Sequence, residues 1–159
     1  MALRLAESWD KNNRWIKGAD LIGEGCSRST YRVGEYVFKI CRDCQYSWDK
    51  EAAQYAACQN RAEAFAARKM RRARVEAVPD VMHVMGPDAA CVNVMRYYKG
   101  EPVGFHERAE LRRLQDRLHG YSVTDAWGDN VLALDDGRLI VVDMGCDDEH
   151  YFANGGDNR

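Results

Sequence analysis

The chain has 159 residues, which is enough for one domain with a single hydrophobic core. Its 23 basic and 25 acidic residues give a net charge of −2, so bulk charge does not hold it on nucleic acid. No apolar run is long enough to span a bilayer, and the N-terminal segment lacks the apolar stretch of a signal peptide. We therefore expect a cytoplasmic protein with neither a membrane nor a nucleic-acid partner, whose oligomeric state stays open.

The first half of the chain predicts an antiparallel sheet and one helix. Residues 21–40 hold three β-prone runs separated by glycine-containing turns, which predicts three consecutive strands. Residues 48–74 are rich in alanine and contain neither glycine nor proline, which predicts a helix. Residues 78–84 and 91–97 predict a further pair of strands around a turn.

The second half of the chain predicts a smaller set of elements. Residues 99–102 are expected to be a connector, and residues 130–134 and 138–142 a hairpin. Residues 105–118 predict an amphipathic helix. Its inward face is expected to hold Phe105, Ala109, Leu114 and Leu118. The order βββαββ, connector, α, ββ belongs to the α+β class.

Two of the cysteines, Cys41 and Cys44, have the CxxC spacing of metal and redox sites. A structural zinc site requires a second pair of ligands, and only Cys58 and His83 follow nearby. We expect both residues of the CxxC to be thiols, with zinc as the alternative.

Two features of the first half point to a phosphate ligand. Gly23 and Gly25 lie between two predicted strands, where backbone amides can approach phosphates, although hairpin turns also use glycine. Lys39 lies inside an apolar strand and requires an anionic partner unless its ammonium reaches water at the strand end. A glutamate of the following helix or a phosphate would serve as that partner.

Three polar residues of the second half carry oxygen atoms. Asp125 precedes Asn130 by five positions, and Asp143 begins a D-x-G immediately after a predicted strand. Carboxylate and amide oxygens are the ligands that magnesium prefers, and a second carboxylate can orient a nucleophile. The plain alternative is that these residues cap turns.

In this order, the features resemble the motifs of the protein-kinase-like superfamily. The segments that match are residues 22–33 as the glycine-rich loop, 37–39 as the strand with the lysine, 94–98 as the hinge, 125–130 as the catalytic loop and 141–145 as the magnesium motif. The loop variant Gly-Cys-Ser-Arg-Ser-Thr-Tyr is most similar to that of the very small kinase-like proteins of bacteriophages.

The resemblance implies a minimal kinase-like fold in one domain, residues 1–159. A five-stranded antiparallel N-lobe with one main helix would cover about residues 1–98, and a truncated C-lobe residues 99–159. The implied cofactors are ATP and Mg²⁺. The implied nucleotide contacts are Ile22, Gly23, Gly25, Lys39, Met95 and Tyr97, the metal ligands are Asn130 and Asp143, and the catalytic residues are Asp125, Lys39 and Glu63.

The departures from the family pattern keep two questions open. Arg28 stands where the third loop glycine is expected, Trp127 replaces the Lys or His after Asp125, and the peptide-binding platform is missing. The alternative function is therefore a pseudokinase-type binding module that inhibits or redirects a host protein without turnover. Glu51 competes with Glu63 as partner of the lysine, and the match to the small bacteriophage pattern favours Glu63.

Overall fold

The structure is a computed structural model that describes residues 18–24, 28–41, 50–85, 91–104, 109–121, 123 and 125–144. Two compact units make up the chain. The first comprises residues 1–61 and 81–97, and the second residues 62–80 and 98–159. Within the described residues, no helix is both long and apolar enough to cross a membrane.

The first unit contains a five-stranded sheet in which every strand pairs antiparallel with its neighbours. The strand order is β1-β2-β3-β5-β4. The strands are β1 (Asp20–Glu24), β2 (Arg28–Val33), β3 (Tyr36–Cys41), β4 (Val81–Met85) and β5 (Cys91–Arg96). The predicted α+β class and five antiparallel strands are confirmed. The strand expected at 78–84 begins only at Val81, because Pro79 has no N–H to give to a ladder.

The two faces of this sheet differ in chemistry. Strand register aligns a polar row across one face, in which Lys39 of β3 pairs with Thr30 of β2 and Asn93 of β5, and Asn93 pairs with His83 of β4. Side chains alternate along strands, so the intervening residues point to the opposite face. That opposite face holds the apolar core of the unit: Tyr31, Phe38, Ile40, Val92 and Val94.

The helix α1 (Lys50–Arg72) is attached to the sheet by one buried amide. Asn60 is completely buried, and its Nδ2 donates to the backbone oxygen of Lys39 at 3.1 Å and to Cys41 Sγ at 3.3 Å. Its Oδ1 accepts a hydrogen bond from Arg28 Nη1 at 3.2 Å. Asn93 Nδ2 donates to the Asn60 backbone oxygen at 2.9 Å. These bonds fix the rotation of the helix against three strands.

The cysteine pair lies only partly within the described residues. Cys41 is a buried thiol in β3, whereas Cys44 lies outside them. Cys41 therefore packs as a small side chain whose sulfur accepts the hydrogen bond from Asn60.

The C-terminus of α1 forms a hydrogen-bonded cap with an unusual residue in it. Arg74 N donates to Arg71 O at 3.0 Å, and Val75 N donates to Met70 O at 2.9 Å, which is the Schellman pattern. The residue at the turning point is Arg74, with a φ of 56°. Glycine is the favoured residue there, and a side chain in this left-handed region costs about 1–2 kcal/mol.

The second unit contains a three-stranded sheet in the order β6-β7-β8. Its strands are β6 (Gly100–Pro102), β7 (Val131–Leu134) and β8 (Leu139–Val141), so the predicted hairpin is present. The expectation of a plain connector at 99–102 is wrong, because its last three residues form β6 and pair with β7. Gly100 permits this pairing, since a Cβ there would lie 2.6 Å from the Ala133 carbonyl oxygen.

The second helix, α2 (Ala109–His119), follows β6. Its buried residues are Leu111, Leu114 and Leu118, which lie on one face at helical spacing. The expectation that Ala109 faces inward is wrong, because Ala109 is exposed in the first turn. Phe105 lies outside the described residues.

Candidate functional site

A short 3-10 turn, Gly128–Asn130, brings Asn130 back onto the residue five positions before it. Asn130 N donates to Trp127 O at 2.8 Å, and Asn130 Nδ2 donates to the backbone oxygen of Asp125 at 2.8 Å. The side-chain nitrogen of Asn130 is thereby used in a hydrogen bond to the backbone. The remaining atom, Oδ1, is the one that can serve as a ligand to a cation.

The same asparagine is joined to the end of β8. Its backbone oxygen accepts hydrogen bonds from Val142 N at 2.8 Å and from Asp143 N at 3.3 Å. Asn130 and Asp143 are both half-buried, so their side chains are shielded without being sealed from solvent. These bonds continue the pairing of β7 with β8 by one step, so the hairpin itself places Asn130 beside the backbone of Asp143.

A buried glutamate of α1 contacts the D-x-G segment. Glu63 has no exposed surface, and its Oε1 accepts a hydrogen bond from Met144 N at 3.1 Å. A buried carboxylate requires such donors because transfer from water is costly without them. The pairing of Glu63 with Lys39 stays a prediction, and the side chain of Glu51 lies outside the described part of the chain.

Lys39 belongs to the polar row of the first unit. Its side chain is only 3% exposed, which is rare for a lysine and consistent with the anionic partner that the sequence demands. The hydrogen bond from Asn60 to its backbone oxygen holds this point of β3 against α1.

The expected glycine-rich loop, residues 22–33, is described in its two strands, whereas residues 25–27 lie outside the described residues. Between Leu21 and Gly23 the pairing of β1 with β2 slips by one residue, so Ile22 is the extra residue of a bulge. Ile22 is 46% exposed, and Gly23 lies beside Thr30. Gly25 lies outside the described residues.

The two residues expected at the hinge, Met95 and Tyr97, have different environments. Met95 is buried in β5, opposite Val37 of β3. Tyr97 follows β5, where its N–H donates to Glu35 O at 2.7 Å and its ring lies 3.8 Å from the Arg32 guanidinium. The Tyr97 ring is thus held in place by a cation–π contact.

Two residues of the expected catalytic loop, Asp125 and Trp127, are open to solvent. Asp125 is exposed, and Trp127, two residues further on, is 51% exposed. The hydrogen bond from Asn130 Nδ2 to the Asp125 backbone oxygen fixes the main chain of Asp125, while its exposed side chain stays accessible.

Sequence reasoning missed the buried polar network of the first unit. Arg28, which departs from the glycine-rich pattern, is 8% exposed and donates to Asn60. Asn93 is fully buried, and its Oδ1 accepts a hydrogen bond from His83 Nδ1 at 2.8 Å. The available signal was that Asn60 and Glu63 interrupt an alanine-rich helix with three-residue spacing, which puts both on one face.

Comparison with known proteins adds no relative. No protein-family model matches the chain, and no curated protein matches it significantly. Among the described residues, no group of three or more His, Cys, Asp and Glu side chains converges as a metal centre.

Proposed function

We propose that the protein is a kinase-like phosphotransferase that uses ATP and Mg²⁺ to phosphorylate a hydroxyl group of a protein or small molecule. The observation that carries the proposal is the joining of Asp125, Asn130 and Asp143 by the bonds that Asn130 makes with its side chain and backbone. The bonds that join them are made with backbone atoms of Asp125 and Asp143, and they place both residues beside Asn130. A phosphotransferase needs such proximity, because its metal and its acceptor must be held close together.

The proposal gives each side chain a role. Asn130 Oδ1 and the Asp143 carboxylate are the magnesium ligands, and the metal would neutralise charge on the phosphates. Lys39, oriented by Glu63, and the backbone around Gly23 and Gly25 contact the phosphates. The adenine contacts are assigned to Ile22, Met95 and Tyr97.

Asp125 orients the acceptor in this proposal. The acceptor oxygen forms a bond to the γ-phosphorus of ATP, the bond from that phosphorus to the β,γ-bridging oxygen breaks, and ADP leaves. Asp125 accepts the hydroxyl proton, for which an exposed and positioned carboxylate is suited. The setting that we propose, on the bacteriophage resemblance, is the cytoplasm of a bacterial host, where a host protein is one candidate acceptor.

A thermal titration with ATP and magnesium tests the proposal. A ligand that binds only the native state stabilises it by about 2.7 kcal/mol at one hundred times its Kd, so the melting temperature should rise by several degrees. Asp143→Ala should remove most of the magnesium-dependent part of that rise. Asp129→Ala is the matched control, because Asp129 is an exposed carboxylate of the same turn with no assigned role.

Each outcome of this titration has one reading. Equal stabilisation of wild type and Asp143→Ala by ATP and magnesium contradicts the assignment of Asp143 as a ligand. A phosphate-transfer assay on the same protein completes the test. Binding of ATP and magnesium without phosphate transfer to an acceptor, to water or to the protein itself would favour the pseudokinase-type module over the phosphotransferase. No binding at all contradicts both.

A further inference from the structure

The second unit carries an open pocket of about 500 Å³ that the proposed function does not use. Three segments line it: the turn after α1, the helix α2 and the turn between β7 and β8. This volume falls in the range of small-molecule sites. The charged residues that line it are Arg74, Glu76, Glu110, Arg117 and Arg138.

The lining carries three guanidinium groups and two carboxylates. Arg138 donates to the Asp136 carboxylate at 2.7 Å, and this hydrogen bond holds the pKa of that carboxyl below its usual value. The same hydrogen bond raises the pKa of the Arg138 guanidinium, and the negative charge of Glu76 adds to this effect. Glu110 occupies the first turn of α2, where the helix dipole favours a negative charge. In the described part of the chain, neither Arg74 nor Arg117 forms an ion pair with a carboxylate.

Arg74 is the lining residue with the unusual backbone conformation. It occupies the left-handed cap of α1, where glycine would be better suited. Arg74 and Arg117 both lie at the C-terminal end of a helix, where a positive charge is favoured. A long cationic residue that occupies a left-handed position and also lines a pocket points to a role for that cation.

We propose that this pocket binds a phosphate monoester dianion through Arg74 and Arg117. Guanidinium groups match the oxygen atoms of a phosphate with paired, charge-assisted hydrogen bonds, and two of them from separate elements define one binding geometry. The ligand chemistry is shared by a free phosphorylated metabolite and by a phosphorylated side chain of a polypeptide. The site belongs entirely to the second unit and does not depend on the proposed phosphotransferase activity.

Calorimetric titration at low ionic strength tests the site with four probes. These are inorganic phosphate, phosphoserine, and a short neutral peptide with and without one phosphoserine. We expect saturable binding of inorganic phosphate, phosphoserine and the phosphopeptide, and no binding of the unphosphorylated peptide. A preference for the phosphopeptide over phosphoserine would identify a polypeptide source, and equal affinities would identify a small-molecule source.

The variants separate this pocket from general surface charge. Arg74→Gly and Arg117→Gln should each weaken binding by about tenfold or more, as expected for a lost charge-assisted hydrogen bond. Arg74→Gly should also melt at or above the temperature of the wild type, because it relieves the left-handed strain. The matched control is Arg113→Gln, which removes the same charge from the same helix at a residue outside the pocket and should bind as the wild type does.

Three results would overturn the proposal. They are the absence of saturable binding to the wild type, equal weakening in Arg113→Gln, and unchanged affinity in both pocket variants. Loss of binding in Lys39→Ala instead of the pocket variants would assign the anion to the proposed nucleotide site. The ATP-dependent rise in melting temperature should persist in Arg74→Gly, so failure of either proposal leaves the other standing.

Discussion

Asp125→Asn should lower the rate of phosphoryl transfer by about 10²–10⁴ while leaving the affinity for ATP within a few fold. The substitution is well matched to the structure. Only the backbone oxygen of Asp125 is bonded to Asn130, so the turn keeps its hydrogen bond while the carboxylate is lost. The exposed side chain makes a large change in folding stability unexpected. Single-turnover rates at saturating ATP and magnesium, with the Kd from titration, measure the two effects separately.

Two further variants make the Asp125 result interpretable. Asp129→Asn removes a carboxylate from the same turn and should transfer phosphate as fast as the wild type. Lys39→Ala should differ from Asp125→Asn by weakening ATP binding as well as transfer, because the proposed role of Lys39 is a phosphate contact. An Asp125→Asn enzyme as fast as the wild type would show that its carboxylate does not serve the acceptor.

Most elements of the fold follow from local patterns. Several strands of the first unit are β-prone runs separated by turn residues, and the helix that follows β3 has no breaker in its sequence. The strand β6 escaped prediction because Gly100–Pro102 contains two residues that ordinarily disfavour strands. Its pairing depends on a close approach to Ala133 that only the folded chain reveals.

The contacts of the candidate site likewise include some that the local sequence predicts and some that only the folded chain reveals. Asp125 and Asn130 are five residues apart, so one turn is enough to bring them together and the spacing alone predicts it. The hydrogen bond from Met144 N to Glu63 joins residues 81 positions apart, and no local pattern predicts it. Helical phase puts Glu51 and Glu63 on different faces but does not say which face meets Lys39.

The network around Asn60 is harder to predict from the sequence, because a polar amide is unexpected in the interior of a protein. A fully buried amide is favourable only when its donors and acceptors are matched, and a composition rich in alanine gives no sign that they will be. In the structure, Asn60 Oδ1 accepts a hydrogen bond from the Arg28 guanidinium, and Asn60 Nδ2 donates to the Lys39 carbonyl oxygen and to Cys41 Sγ. The network therefore stabilises the first unit only as a set.

Asn60→Ala should consequently lower the free energy of unfolding by about 2–4 kcal/mol, because Arg28 and the Lys39 carbonyl oxygen each lose a hydrogen-bond partner in a buried environment. That is a large share of the 5–15 kcal/mol typical of a domain. Urea unfolding followed by circular dichroism measures it. Arg68→Ala, an exposed change on the same helix, is the control and should stay within about 0.5 kcal/mol of the wild type. An Asn60→Ala protein as stable as that control would mean that the helix is held to the sheet by apolar packing, with the buried amide contributing nothing.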